Sequence, residues 1–299
     1  MLATLVREPF DRPGWVYEEK YDGYRILAYK EGAHVTLFSR NEKDRTSTFA
    51  SIAEAVAHLP FRTLLLDGEV SVFDRRHVSR FQLLQNQSAA LKYAVFDCLY
   101  KNGRDLRGHS LRERRNVLDD SIAKNNGQTT SIFASRRLAK NGLEAYKIAA
   151  RKGFEGVIAK DESSSYTEGR SNKWLKFKVH QEDEFVIVGY TAPEGSRQHF
   201  GALLLGAHED SKLKYVGKVG TGFSHESLSK LFRKFQPLVR AKPTVADPPR
   251  EKNVTYLAPH LVAQIAYSEW TRDHKLRQPV FLGLRDDVSP REIKLIEAK

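Results

Sequence analysis

The chain has 299 residues, long enough for two domains, and its 40% hydrophobic content can build real cores. Lys plus Arg outnumber Asp plus Glu by 49 to 37, and the formal charge of +12 favours an anionic partner such as nucleic acid or a nucleotide. The single cysteine, Cys98, excludes an intramolecular disulfide framework and a cysteine-based zinc site; with no bilayer-spanning apolar stretch and no signal-peptide order, a soluble cytoplasmic chain is expected.

Residues 1–14, with Pro9 and Pro13, read as a leading loop. An extended segment from Val16 then enters Glu18-Glu19-Lys20-Tyr21-Asp22-Gly23-Tyr24-Arg25 and continues as a strand to Lys30. Glu31-Gly32 turns the chain into a strand over 34–39, whose β-branched and aromatic residues suit a sheet. Residues 51–58 predict a short helix, 63–73 a buried strand crossing or meeting a second one, and 91–99 another strand. A helix is expected over 111–119 and a turn at 125–128. Asn141 is placed to cap a helix whose Leu143, Tyr146 and Ala150 face inward, with Gly153 just past its end. Strands follow at 156–160 and 174–179. The very polar residues 180–184 mark the expected hinge, so the domains are expected at 1–183 and 184–299. Beyond it, short strands at 185–190, 201–207, 213–217 and 261–267, with one helix near 225–236, suit a small barrel. Residues 217–222 read as a tight turn and 242–252 as a linker or long loop. The expected class is α+β.

In a strand, alternate residues share a side. Lys176 and Lys178 therefore point together, beside Trp174, while Leu175, Phe177 and Val179 face the core. Asp67 and Glu69 share a side in the same way. Two neighbouring lysines are best tolerated around an anion or a solvent channel; taken alone, a solvated sheet face is the better explanation of the pair. Glu155 stands at the mouth of an apolar strand, and Glu69 with Glu155 has the oxygen donors a hard divalent cation takes, although each also reads as an ordinary acid. The basic runs at 75–77, 112–115 and 136–137 read as solvated faces. Neither a P-loop nor a dinucleotide-binding glycine fingerprint is present. The residues point to a two-domain nucleotide-handling protein and no further.

Several motifs occur in order. Lys20-Tyr21-Asp22-Gly23 resembles the nucleotidyl-lysine motif of ATP-dependent DNA ligases and mRNA capping enzymes. Ser39-Arg40-Asn41, Asp67-Gly68-Glu69, Tyr93-Ala94-Val95-Phe96-Asp97, Glu155-Gly156-Val157-Ile158-Ala159-Lys160 and Lys173-Trp174-Leu175-Lys176-Phe177-Lys178 follow. Arg277 to Arg285 is similar to the last motif of that superfamily. Pro9-Phe10, Ser268-Glu269-Trp270-Thr271 and Phe281-Leu282-Gly283-Leu284-Arg285 resemble most the ligase module of bacterial ligase D.

The resemblance implies a nucleotidyltransferase domain followed by an OB-fold domain. It implies a monomeric minimal ligase, free-standing or excised, without the helical domain that precedes the lysine in many relatives. Lys20 would attack the α-phosphorus of ATP, expel pyrophosphate and carry AMP. Lys176 and Lys178 would touch the α-phosphate, and Phe96 would stack on adenine. Glu69 would address the ribose or the metal, and Glu155 would be the main carboxylate for Mg²⁺ or Mn²⁺. Glu18, Arg25 and Arg40 join the nucleotide or 5′-phosphate contacts, and Arg277 and Arg285 would orient pyrophosphate. Asp22 would brace the loop, Gly23 would allow a close backbone approach, and Glu19 should face away from Lys20. Expected partners are nicked duplex DNA, a Ku-type end-binding protein, and polymerase or phosphoesterase modules, at the bacterial nucleoid. An RNA ligase, an RNA-capping guanylyltransferase and a non-catalytic DNA-end-binding module are the alternatives.

Overall fold

The chain divides into two units, Met1–His180 and Gln181–Lys299. The computed structural model describes residues 1–6, 8–85, 90–124, 130–179, 181–195, 197–251, 253–271 and 273–295. The turn expected at 125–128 lies outside the described residues.

In chain order the first unit holds β1 (Leu2–Leu5), β2 (Trp15–Lys20), β3 (Tyr24–Glu31), β4 (His34–Ser39), α1 (Ala50–Ala57), β5 (Thr63–Val72), β6 (Leu91–Lys101) and β7 (Arg104–Asp105). After these come α2 (Leu111–Ala123), β8 (Ile132–Ala134), β9 (Arg137–Ala139), α3 (Gly142–Lys152), β10 (Gly156–Asp161) and β11 (Arg170–Lys178). They form two sheets, one ordered β1-β11-β10-β2-β9 and one ordered β4-β3-β5-β6-β7 with β8 beside β6. The stretch over 63–73 is the buried strand expected to meet another: β5 pairs with both β3 and β6. The leading residues, expected as a loop, include β1, which pairs in parallel with β11. A partner some 167 residues away leaves no mark in the local pattern.

Alternation builds the cores. Tyr17, Val157, Ala159, Leu175 and Phe177 fill one side of the first sheet against Ala145 and Ala149 of α3. Ile26, Leu37, Leu64 and Leu66 of the second sheet pack against Ile52 and Val56 of α1 and Leu118 of α2. Each such fully buried side chain contributes about 1.5–3 kcal/mol. Cys98 is a small buried hydrophobe here, as expected.

Helix α3 starts and stops where its caps predict: the Asn141 side chain accepts from the Glu144 amide at 2.8 Å, and Gly153 has φ 76°. Its inward face differs from expectation. Leu143 is 51% exposed and Ala150 is exposed, whereas Gly142, Ala145 and Ala149 are buried. The helix lies too close to its neighbours for large residues there, since a Cβ at Gly142 would sit 1.9 Å from the Phe10 carbonyl oxygen.

The second unit contains β12 (Glu182–Thr191), β13 (Leu203–Glu209), β14 (Lys212–Val219), α4 (His225–Phe235), β15 (Val239–Arg240), β16 (Val254–Ala266), β17 (Glu269–Trp270), β18 (Leu276–Arg277) and β19 (Val280–Arg285). Its main sheet runs β14-β13-β12-β16-β15, with β19 also on β16. Residues 182–184 already belong to β12. Gly217, at φ 128°, stays inside β14 beside a register shift opposite Leu205 and Gly206, so the turn expected at 217 begins only after Val219. Leu228, Leu231 and Phe235 of α4 are buried at helical spacing. No helix among the described residues is long and apolar enough to cross a membrane.

Candidate active site

Lys20 is the last residue of β2, and β10 lies between β2 and β11. Gly156 is in register with Lys20 on one side and Lys178 on the other; Ile158 likewise joins Glu18 to Lys176, and Lys160 joins Val16 to Trp174. Residues in register share a face, so Glu18, Lys20, Lys160, Trp174, Lys176 and Lys178 project from the side opposite the α3 core. Two strand spacings place the backbones of Lys20 and Lys178 about 10 Å apart across Gly156. A Cβ at Gly156 would lie 2.3 Å from the Phe177 carbonyl oxygen, so the sheet takes only glycine between the two lysines.

Lys20 Nζ donates to Glu155 Oε2 at 2.5 Å, with the side chains 19% and 8% exposed. The loop that follows is pinned to the segment after β5. The Asp22 amide donates to Ser79 Oγ at 2.9 Å, and its carboxylate accepts from the Phe81 amide at 2.8 Å. A Cβ at Gly23 would lie 2.2 Å from the Val70 carbonyl oxygen, which is the close backbone approach the motif implies. Glu19 does face away from Lys20. It is buried, with Arg136 Nη2 at 2.7 Å, and burial pushes its carboxyl up to about 7 against the opposing pull of Arg136.

Beneath this face lies a buried ion cluster. Glu18 accepts from Lys160 Nζ at 2.7 Å, from Arg115 at 2.8 Å and from the Ser135 hydroxyl at 2.7 Å. Burial would raise the Glu18 carboxyl, but Lys160 and Arg115 outweigh it and hold it below the usual range. Both Glu18 oxygens are thus occupied by the protein. Arg114 grips Asp97 through two bonds of 2.8 and 2.9 Å, and neither side chain is exposed. The run 112–115, read as a solvated face, is one only in part, at Arg112. Amphipathic spacing hides this, because the buried partners sit on other elements.

The second sheet supplies the rest. Asp67 binds Arg25 Nε at 2.9 Å and Nη2 at 2.6 Å, and also accepts from the Tyr166 hydroxyl at 2.9 Å. Burial disfavours the Arg25 charge, but Asp67 more than restores it, so the guanidinium stays protonated. The Phe96 ring carries Lys160 Nζ at 4.6 Å and the Arg25 guanidinium at 5.4 Å, with the Trp174 ring edge-on at 5.8 Å. Glu69 is half-buried in register with Arg25, and Arg40 is exposed just after β4. The sequence reading assigned no role to Tyr166, Arg114, Arg115, Ser135 or Lys160. Only Lys160 had a visible signal, its place on the same alternation as Gly156 and Ile158.

Among the described residues, no group of three His, Cys, Asp or Glu side chains converges as a metal cage. Glu155 and Glu69 still offer hard oxygen donors. Carboxylates of this kind, one or two together with substrate phosphates, are what commonly holds Mg²⁺. In the second unit, Arg277 is exposed and pairs with Glu269 at 2.7 Å. Arg285 is only 11% exposed and grips Asp287 through two bonds of 2.8 Å.

Residues 1–178 match the family model of the ATP dependent DNA ligase domain, and residues 196–288 match that of the ATP dependent DNA ligase C terminal region. The chain belongs to the ATP-dependent DNA ligase family. It is 40% identical to the multifunctional non-homologous end joining protein LigD of Pseudomonas aeruginosa over 98% of the chain and 36% of that protein. To LigD of Mycobacterium bovis it is 36% identical, over 93% of the chain and 37% of the relative. The chain thus spans little more than a third of these relatives. A solved structure described as mycobacterial DNA ligase D complexed with ATP and MES superposes with TM-score 0.70 at 33% identity, covering 99% of this chain and 98% of that one. The chain therefore has the expected α+β architecture, with nucleotidyltransferase and OB-fold domains.

Proposed function

We propose that this protein seals 3′-hydroxyl/5′-phosphate nicks in duplex DNA, using ATP, through a lysyl-AMP at Lys20 and a DNA-adenylate. What supports the reading most is the Lys20–Glu155 pair on the face shared with Lys176 and Lys178. An amine beside a carboxylate, facing two further cations across a bare glycine, is arranged to receive a phosphate. The Lys20 amine must be neutral to attack. Glu155 Oε2, 2.5 Å from Lys20 Nζ, is placed to take that proton.

Attack forms the nitrogen–phosphorus bond and breaks the bond from the α-phosphorus to the bridging oxygen, releasing pyrophosphate. Lys176 and Lys178 neutralise the charge that gathers on the α-phosphate oxygens. The Phe96 ring stacks on the adenine. Glu155 and Glu69 would hold a divalent cation, whose charge would offset that of the phosphates. The 5′-phosphate of the nick then takes AMP from Lys20, and the 3′-hydroxyl displaces AMP to close the strand. Arg25 and Arg40 receive ribose or the 5′-phosphate, where a planar guanidinium suits phosphate. Glu18, with both oxygens occupied, acts by fixing Lys160 under Phe96.

Arg277 is the readier of the two second-unit arginines for pyrophosphate, because Arg285 must first leave Asp287. The activity belongs to repair or end joining at the bacterial nucleoid, alongside polymerase, phosphoesterase and Ku-type partners of the kind such a pathway needs. Incubation with radiolabelled ATP, then with nicked DNA, tests this. Wild type should become labelled and seal the nick, and Lys20→Ala should do neither. Labelling by GTP alone, or sealing by the alanine variant, would sink the proposal.

A further inference from the structure

Two basic runs left unused by the nucleotide site meet a third at one edge of the first unit. Arg75 and Arg76 are exposed in the turn after β5. Arg136 and Arg137 stand at the start of β9, 42% and 47% exposed, and Arg151 and Lys152 end α3 on the surface. The three segments are physically joined. Arg136 Nη2 donates to the His77 carbonyl at 3.5 Å, and Arg136 and Lys152 lie 5.4 and 5.8 Å from the centre of the Phe154 ring. Between β9 and the end of α3 lies a cavity of about 370 Å³, lined by Arg136, Arg137, Arg151 and Lys152 with Leu138, Ile148 and Phe154.

Charge is poorly balanced here. Glu19 answers Arg136, Glu162 answers Arg137, and Asp74 answers Arg80. Arg75, Arg76, Arg151 and Lys152 form no ion pair among the described residues. Two cations in the last turn of α3 also suit the helix dipole. That accounts for Arg151 and Lys152 but not for Arg75 and Arg76. The same turn runs on into Ser79 and Phe81, which hold Asp22 of the nucleophile loop. The basic edge therefore begins a few residues from the loop that carries Lys20.

We propose that this edge is a phosphodiester platform that grips the duplex backbone on one side of the nick. The proposal rests on the ligase reading above. Guanidinium forks suit phosphate oxygens, and binding of this kind fixes the register of a duplex without reading its bases. The apolar floor of Leu138, Ile148 and Phe154 leaves room for sugar between phosphates.

The test is the quadruple variant Arg75→Ala/Arg76→Ala/Arg151→Ala/Lys152→Ala, with the double variant Arg75→Ala/Arg76→Ala alongside should the quadruple fail to fold. Binding to a nicked duplex is measured by fluorescence anisotropy across a salt series, and Lys20 labelling by radiolabelled ATP. Labelling should stay at the wild-type level. Affinity should fall about tenfold or more at 0.1 M salt, and the slope of log K against log salt should become shallower by about 0.9 for each phosphate the protein no longer neutralises. An unchanged affinity and slope would overturn the platform. So would a variant that loses only the binding of inorganic phosphate, which would mark a free-anion site. A wild type that takes no AMP from ATP overturns the ligase reading itself, a separate and recognisable result.

Discussion

Glu19, buried behind the strand that carries Lys20, ties the stability of the fold to pH. Its carboxyl is pushed by burial from 4.5 up to about 7, with Arg136 opposing. A raised carboxyl binds its proton more tightly folded than unfolded, so its contribution is fully present below about pH 4.5 and is lost as pH rises to 7. Glu19→Gln should remove that slope and raise stability at pH 8 by up to about 3 kcal/mol. Denaturant unfolding at pH 5 and pH 8 checks it; equal gains at both would show that burial is not what governs the residue. The orientation of Glu19 was legible, because alternation in a strand puts it opposite Lys20. The role of Glu18 was not. Its partners come from positions 115, 135 and 160, and no spacing rule reaches across such distances.

At the scale of elements, strands were the most readable part and their phase more so than their ends. Alternation placed Lys176 and Lys178 together and Leu175 and Phe177 in the core, as the structure has them. Helix α3 was found by its caps yet misread in its facing, since size complementarity with Phe10 and Tyr17 decides which side fits and the helix cannot show that alone. Gly156 offers a direct test of such close packing. In Gly156→Ala the new Cβ meets the backbone of Phe177 and Lys178, which cannot yield as a flexible side chain would. A cost of about 3 kcal/mol is expected, lowering Tm by roughly 10 °C. Calorimetry measures the first effect, and weaker Lys20 labelling should accompany it as β10 and β11 are forced apart. A variant with wild-type Tm would mean that the sheet absorbs the methyl.

For the molecule as a whole, the ordered motifs foretold the family, and the excess of positive charge suggested an anionic partner. Neither told which cations serve the partner. The answer depends on topology: Arg114 and Arg115 vanish into the interior, while Arg136 reaches the carbonyl of His77, far away in the chain. Arg277 and Arg285 differ for the same reason, one exposed against Glu269 and the other enclosed by Asp287.

The order of strands in the first unit also fixes an order in time. The second sheet joins β3, β4, β5 and β6 largely in sequence, so it can close while the chain is still emerging. In the other sheet β2 waits for β9 and β10, and β1 waits for β11, more than 160 residues downstream. Distant pairings close late because their loop entropy must be met first. The strand that bears Lys20 is therefore an open, unsatisfied edge until β9 and β10 have been made, and the window for misassembly is set by its own active-site sheet. Pulsed hydrogen exchange during refolding should protect residues 24–31 and 63–72 before residues 15–20. Protection of all three at one rate would show that the unit folds in a single step.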